Sequence, residues 1–158
     1  MKINIFFKLV IAITVSQSAG VIGSLFTFSA IPNWYATITK PALNPPAWVF
    51  GPVWTILYTL MGVAAFLVWR NGWSQRSVRT ALSIFGFQLL LNAIWSIIFF
   101  GFKNPGLALV DIVVLWFAIV WTIKVFYKIS KLAAYLLVPY LLWVSFATYL
   151  NYAIWALN

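Results

Sequence analysis

Gln88 and Asn92 are amides inside a long apolar run, and a polar side chain at such a place must find its partner away from lipid. Gln88, Asn92 and Ser96 recur every four residues and so share one helix face, with Trp95 beside them. Pro139, Trp143, Ala147 and Asn151 repeat the spacing near the C-terminus, again with a small residue next to a large flat one. Stripes of this kind either tie helices together or line a cavity for a flat apolar ligand, and spacing alone leaves both readings open. Asp111 is the single carboxylate, and Cys and His are absent. Paired-acid catalysis, thiol nucleophiles, His general bases, zinc sites and disulfides are therefore excluded, and no metal site is expected. Ten Trp, seven Tyr and fourteen Phe leave stacking with a few hydrogen bonds as the available chemistry.

The elements that carry these residues follow from composition. Of 158 residues 65% are hydrophobic and 7% charged, against about 25% charged in a soluble domain, and the mean hydropathy is +1.01. Apolar runs at about 6–28, 47–69, 79–101, 106–125 and 132–156 predict an all-α integral membrane bundle of five transmembrane helices, one domain over 1–158. The start MKINIFFKLVIAITV resembles a signal peptide, but the apolar run continues to Phe28, which reads as a retained first span. At about 1.5 Å rise per residue Trp54 lies about two turns into its helix, Asn92 about 14 Å in and Trp143 about 20 Å in, so the three can line one cavity. Above it, residues 29–46 form the longest connection. Pro32, Pro41, Pro45 and Pro46 stiffen it and Trp34 and Tyr35 are costly to leave in water, which predicts an ordered lid; an interfacial aromatic belt of Trp34, Tyr35 and Trp48 is the alternative. Pro139 predicts a kink in the fifth span.

Charge sets the expected orientation. Lys2, Lys8, Arg70, Arg76, Arg79, Lys124, Lys128 and Lys131 fall on the N-terminal side of the bundle and only Lys40 and Lys103 on the other, which predicts the N-terminus inside and the C-terminus outside. This asymmetry and attraction to anionic lipid account for the net charge of +9, and no nucleic-acid partner is expected. Asp111, near the start of the fourth span, suits the helix macrodipole and is within reach of pairing with Lys103; a polar contact inside the bundle is its other reading. Ser16, Gly20 and Ser24 make a small-residue stripe suited to close helix packing.

Three ordered blocks carry a resemblance. Trp34-Tyr35, Lys40-Pro41, Pro45-Pro46, Trp48-Val49, Pro52-Val53-Trp54-Thr55, Leu57-Tyr58 and Met61-Gly62 form the first; Gln88-Leu89, Leu91-Asn92 and Trp95-Ser96 the second; Pro139-Tyr140, Trp143, Phe146-Ala147 and Leu150-Asn151 the third. Together they resemble the tryptophan-rich sensory protein family, also known as the translocator protein or peripheral-type benzodiazepine receptor family. The resemblance implies a five-helix membrane protein, commonly a homodimer, with a pocket under the first loop. It implies ligands such as protoporphyrin, haem and benzodiazepine-type compounds, and a site of Tyr35, Trp54, Asn92, Trp95, Trp143 and Ala147. The family's cholesterol segment is incomplete, because Leu150 and Tyr152 are followed by Ala156 where a basic residue belongs. That departure and the lack of a basic C-terminal tail resemble bacterial members, and imply a bacterial membrane.

The leading expectation is a membrane receptor or sensor that stacks aromatic rings on a tetrapyrrole, with Lys40 or Lys103 meeting its carboxylates. No cofactor is required; protoporphyrin or haem is the ligand. Without His or Cys, the macrocycle rather than its iron would be recognised. Two alternatives stand beside it. One is light-dependent porphyrin breakdown, in which Trp54 and Trp143 would take part and the excited ligand would supply the reactivity. The other is transport of porphyrin-like or sterol-like ligands.

Overall fold

The computed structural model describes residues 4–158, and Lys2 of the charge count lies outside them. Among the described residues every regular element is helical: α1 (Ile5–Ala30), α2 (Ala47–Trp69), α3 (Arg76–Ser96, carried on as the same span by a π-turn, Ile97–Gly101), α4 (Pro105–Tyr127), α5 (Lys131–Leu136) and α6 (Val138–Leu157). Five helical segments are long and apolar enough to cross a membrane, the last formed by α5 and α6 together. The predicted span 47–69 coincides with α2, and the third to fifth spans extend the predicted ones by one to three residues at one or both ends.

The first span is the one that differs. Its helix does not stop at Phe28 but runs on through a π-turn, Ile31–Tyr35, which shortens the lid to 36–46. Pro32 cannot donate to the carbonyl of Phe28, and the ladder continues by the wider i→i+5 pairing that a π-turn allows. Burial drives the extension: Tyr35 is buried, and Trp34 meets Phe99 edge-on at 5.6 Å. The shortened lid is ordered by its own contacts. Tyr35 donates to Asn44 Oδ1 at 2.8 Å, the amide of Thr39 donates to Asn158 Oδ1 at 2.9 Å, and Asn158 Nδ2 donates back to the Thr39 carbonyl at 3.0 Å.

The helices close a ring in the order α1, α2, α5–α6, α4, α3. The last span breaks at Leu137, two residues before Pro139, whose missing N–H cannot extend the α5 ladder. The break divides the labour of that span: α5 packs on both α2 and α4, whereas α6 turns chiefly to α4. The bundle is thus closed at the end that bears the α2–α3 connection and opens toward the lid.

Lipid chains are as apolar as leucine, so close packing rather than water exclusion brings the helices together. α1 follows this rule closely, for it buries only Ala12, Ser16, Ala19, Gly23 and Ala30. A Cβ on Gly62 would stand 2.5 Å from Ile13 Cα, so α1 and α2 touch backbone to side-chain position. Gly62→Ala should therefore lower stability by about 1–3 kcal/mol. Gly86→Ala, where a Cβ meets nothing within 4 Å, should be neutral or slightly stabilising. Unfolding in mixed detergent measures both, and equal effects would overturn this account of the α1–α2 contact.

Candidate functional site

A cavity of about 480 Å³ lies under the lid between α1, α2, α6 and the lid end of α3. The size is within the roughly 300–1,000 Å³ of small-molecule sites. Two aromatic walls face each other across it. On α2, Trp54 stacks on Tyr58 at 5.4 Å and meets Tyr140 edge-on at 6.2 Å. Phe50, one turn before Trp54, meets Trp143 of α6 at 6.0 Å. On α3, Trp95 stacks on Phe99 at 5.1 Å, and Tyr35 of the lid hinge leans on Phe99 and Phe100. Ala147, buried between Trp143 and Asn151 on the same face of α6, leaves the space that a larger side chain would fill.

Tyr35, Trp54, Trp95, Trp143 and Ala147 are thus brought together on the wall, whereas Asn92 is not. Asn92 is 2% exposed and stands one layer behind, where its Oδ1 accepts from the Tyr58 hydroxyl. Asn92 Nδ2 in turn donates to Tyr140 Oη at 3.1 Å, and Tyr140 donates to Gln88 Oε1 at 2.9 Å. Gln88 and Asn92 of the stripe read from spacing therefore tie helices together and act on the cavity through Tyr58, whereas Ser96, the third member, lines it directly. Tyr58, Phe50, Phe99 and Asn151 also line the cavity. Asn151 belongs to the stripe read from the sequence; Phe50, Tyr58 and Phe99 each sit four positions from Trp54 or Trp95, and that spacing was the signal that finds them.

Small residues shape the remaining wall. A Cβ on Gly20 would fall 2.5 Å from the Tyr58 ring, and one on Gly23 would fall 2.8 Å from Ser96 Oγ. Three hydroxyls on the lining are already engaged with their own helices: Ser24 donates to Val21, Thr27 to Gly23 and Thr55 to Gly51. The two inner indoles differ in the same respect. Trp95 Nε1 donates to Asn151 Oδ1 at 2.9 Å, and Asn151 Nδ2 to the Pro105 carbonyl at 2.7 Å. Trp143 Nε1 is buried with no partner. A buried N–H left open on an apolar wall is a donor available for a further hydrogen bond.

The basic residues of the lid end lie outside this chamber. Lys40 places its ammonium 4.8 Å from the Tyr35 ring centroid and donates to the Ile38 carbonyl at 3.1 Å. Lys103, held at φ 53°, lines a neighbouring cleft of about 450 Å³ with Trp34, Trp155 and Asn158. Ile154 contributes to both spaces and divides them. Asp111 is half-buried, and its Oδ2 has no hydrogen-bond partner; the pairing with Lys103 is not formed. No group of three metal-ligating side chains occurs among the described residues.

If Asn92 supports the wall from behind, its loss should be felt first as stability. Asn92→Leu leaves the Tyr58 hydroxyl without its acceptor and Tyr140 without a donor, at a cost of about 1–3 kcal/mol for each group left unpaired. Adding Tyr58→Phe should recover part of that loss, because both ends of the bond are then apolar. Thermal unfolding in detergent measures the pair, and a double variant no better than Asn92→Leu alone would sink the supporting role.

Comparison with known proteins agrees with this architecture. The TspO/MBR family matches residues 12–156. The chain is 47% identical to the tryptophan-rich protein TspO of Chlorobaculum tepidum over 150 residues, covering 95% of each chain. It is 43% identical to the translocator protein of Homo sapiens over 148 residues, covering 92% of this chain and 87% of the human one. With the tryptophan-rich sensory protein of Cereibacter sphaeroides identity is 39% over 126 residues, 80% of this chain and 77% of the relative. Trp-rich blocks in the order seen here, on five membrane-spanning helices matched almost from end to end, mean that the chain is an integral membrane protein belonging to the TspO/MBR family.

Proposed function

We propose that this protein is a membrane receptor for tetrapyrroles such as protoporphyrin and haem, with benzodiazepine-type compounds as further ligands of the same cavity. The observation that carries the reading is an aromatic chamber whose one buried, unpartnered indole N–H belongs to Trp143. Flat rings of Trp54, Tyr58, Trp95 and Trp143 suit a flat macrocycle, and offset stacking adds to the area buried. Specificity then falls to few polar groups, as in most small-molecule sites. Trp143 Nε1 donates to an acceptor on the ligand. Lys40, at the outer face of Tyr35, and Lys103, beyond Ile154, stand near the rim where a porphyrin's carboxylates would emerge. The relatives named for sensing and translocation support the coarse reading of a receptor; the ligand class rests on the chamber.

Trp143→Ala should weaken protoporphyrin binding by about 1–3 kcal/mol through lost stacking, contact and donor. Trp121, 55% exposed on α4 and away from the cavity, is the control, and Trp121→Ala should change affinity little. Binding is read by tryptophan fluorescence quenching in folded protein. Equal affinities in the two variants would remove Trp143 from the site.

We infer the orientation from the same charge asymmetry that the helices gather at one end, where Lys8, Arg70, Arg76, Arg79, Lys124, Lys128 and Lys131 lie near helix termini. That end faces inside and the lid faces outside. An outside-active reporter fused to the C-terminus should give signal and an inside-active one none; the reverse pair would invert the receptor in the membrane.

A further inference from the structure

The cavity has a side as well as a roof. Six of its lining residues are exposed, Val21 and Phe28 on α1 and Ala47, Trp48, Gly51 and Thr55 on α2, with Phe28 and Trp48 each 75% exposed. Every lining residue contributed by α3 and α6, Trp95, Phe99, Trp143 and Ala147 among them, is buried or half-buried. The exposed part of the wall is therefore the seam between α1 and α2.

The seam has a closed half and an open half. In the closed half Ile13 lies against Gly62, and Gln17 Nε2 donates both to the Thr55 carbonyl and to Thr59 Oγ1 at 3.0 Å. Continuing that antiparallel register toward the lid sets Ser24 opposite Gly51 and Phe28 opposite Trp48. Beyond Gln17 no hydrogen bond joins α1 to α2 among the described residues, since the Ser24 and Thr55 hydroxyls are spent on their own helices. A Cβ on Gly51 would meet nothing within 4 Å, so the gap is open where small residues face each other. The gap reaches well below the rim: Thr55 is eight residues into α2 from Ala47, about 12 Å at the helical rise. The roof, by contrast, is fastened by the Tyr35–Asn44 bond and the paired bonds between Thr39 and Asn158.

We propose that the α1–α2 seam is a lateral portal through which a flat apolar ligand dissolved in the bilayer passes into the cavity, with Gln17 clasping its foot and Gly51 its width. The inference rests on the tetrapyrrole reading for its probe but not for its geometry. A ligand that partitions into hydrocarbon reaches such an opening without crossing the fastened lid, and a side chain placed in the opening acts on rates of passage rather than on the bound state.

The chain contains no cysteine, so Gly51→Cys supplies a single thiol at the mouth. In the full-length protein in phospholipid nanodiscs, a benzyl disulfide adduct on that thiol should slow protoporphyrin association about tenfold or more and slow dissociation alongside it. Reductant should restore both rates, which a folding defect would not allow. The same adduct on Leu43→Cys, in the lid, should leave the rates within about twofold. An unchanged rate with Gly51 capped, or slowing only with Leu43 capped, overturns the portal. If the unmodified protein takes up no protoporphyrin, the tetrapyrrole reading falls and the portal is judged by lipid alone. A bimane on Ala147→Cys should then be quenched by brominated acyl chains, and Gly51→Phe should protect it; no quenching, or no protection, overturns the portal separately.

Discussion

An amide sunk in hydrocarbon has no water to fall back on, and Asn92 meets that constraint by joining α2, α3 and α6 through Tyr58 and Tyr140. Gln88 extends the chain from the other side of Tyr140. Each such bond is worth only about 0.6–2 kcal/mol in a membrane, so its importance is directional more than energetic. It fixes the plane of Tyr58, and Tyr58 fixes the plane of Trp54 stacked on it. Gly20 allows that ring to stand where a side chain of α1 would otherwise be. One wall of the cavity is thus set from behind, by atoms that a bound molecule would not touch.

The opposite wall depends on a backbone interruption. Because the last span breaks before Pro139, α5 holds the bundle shut against α2 while α6 departs toward α4, and the volume between α2 and α6 is what the aromatic rings then line. The indoles of Trp95 on α3 and Trp143 on α6 are treated differently. Trp95 is pinned through Asn151 to the carbonyl at the start of α4, so its orientation belongs to the scaffold. Trp143 keeps its donor free. One chamber thus carries an indole held by the scaffold and another whose donor is unspent.

Fold class and membrane character were legible in composition and run length, because only helices satisfy their own backbone in lipid and each apolar run is long enough to cross. The end of α1 was not, since hydropathy stops at Phe28 but a π-turn and the burial of Tyr35 carry the helix further. At the site, large residues were easier to read than small ones. Five of the six residues expected there reach the wall, and Asn92 was on the right face yet one layer too deep, because period gives direction and not distance from a void. Gly20, Gly23 and Gly51 were invisible as site residues for a physical reason: they contribute by what they leave empty, and nothing in a sequence pattern marks a gap.

The length of α1 has a consequence for the whole molecule. With its π-turn it is helical over 31 residues, about 46 Å at the helical rise, against a hydrocarbon core of about 30 Å. Its apolar run, 6–28, is about 35 Å long, and the surplus over the core is relieved by tilt or by local thickening of the bilayer, at a modest cost per ångström. Small residues along one narrow face fix α1 to its neighbours, and this close packing sets how the helix tilts. Membrane thickness is thus a load that falls on this helix and is carried by its contact with α2, with no lipid bound at a specific site.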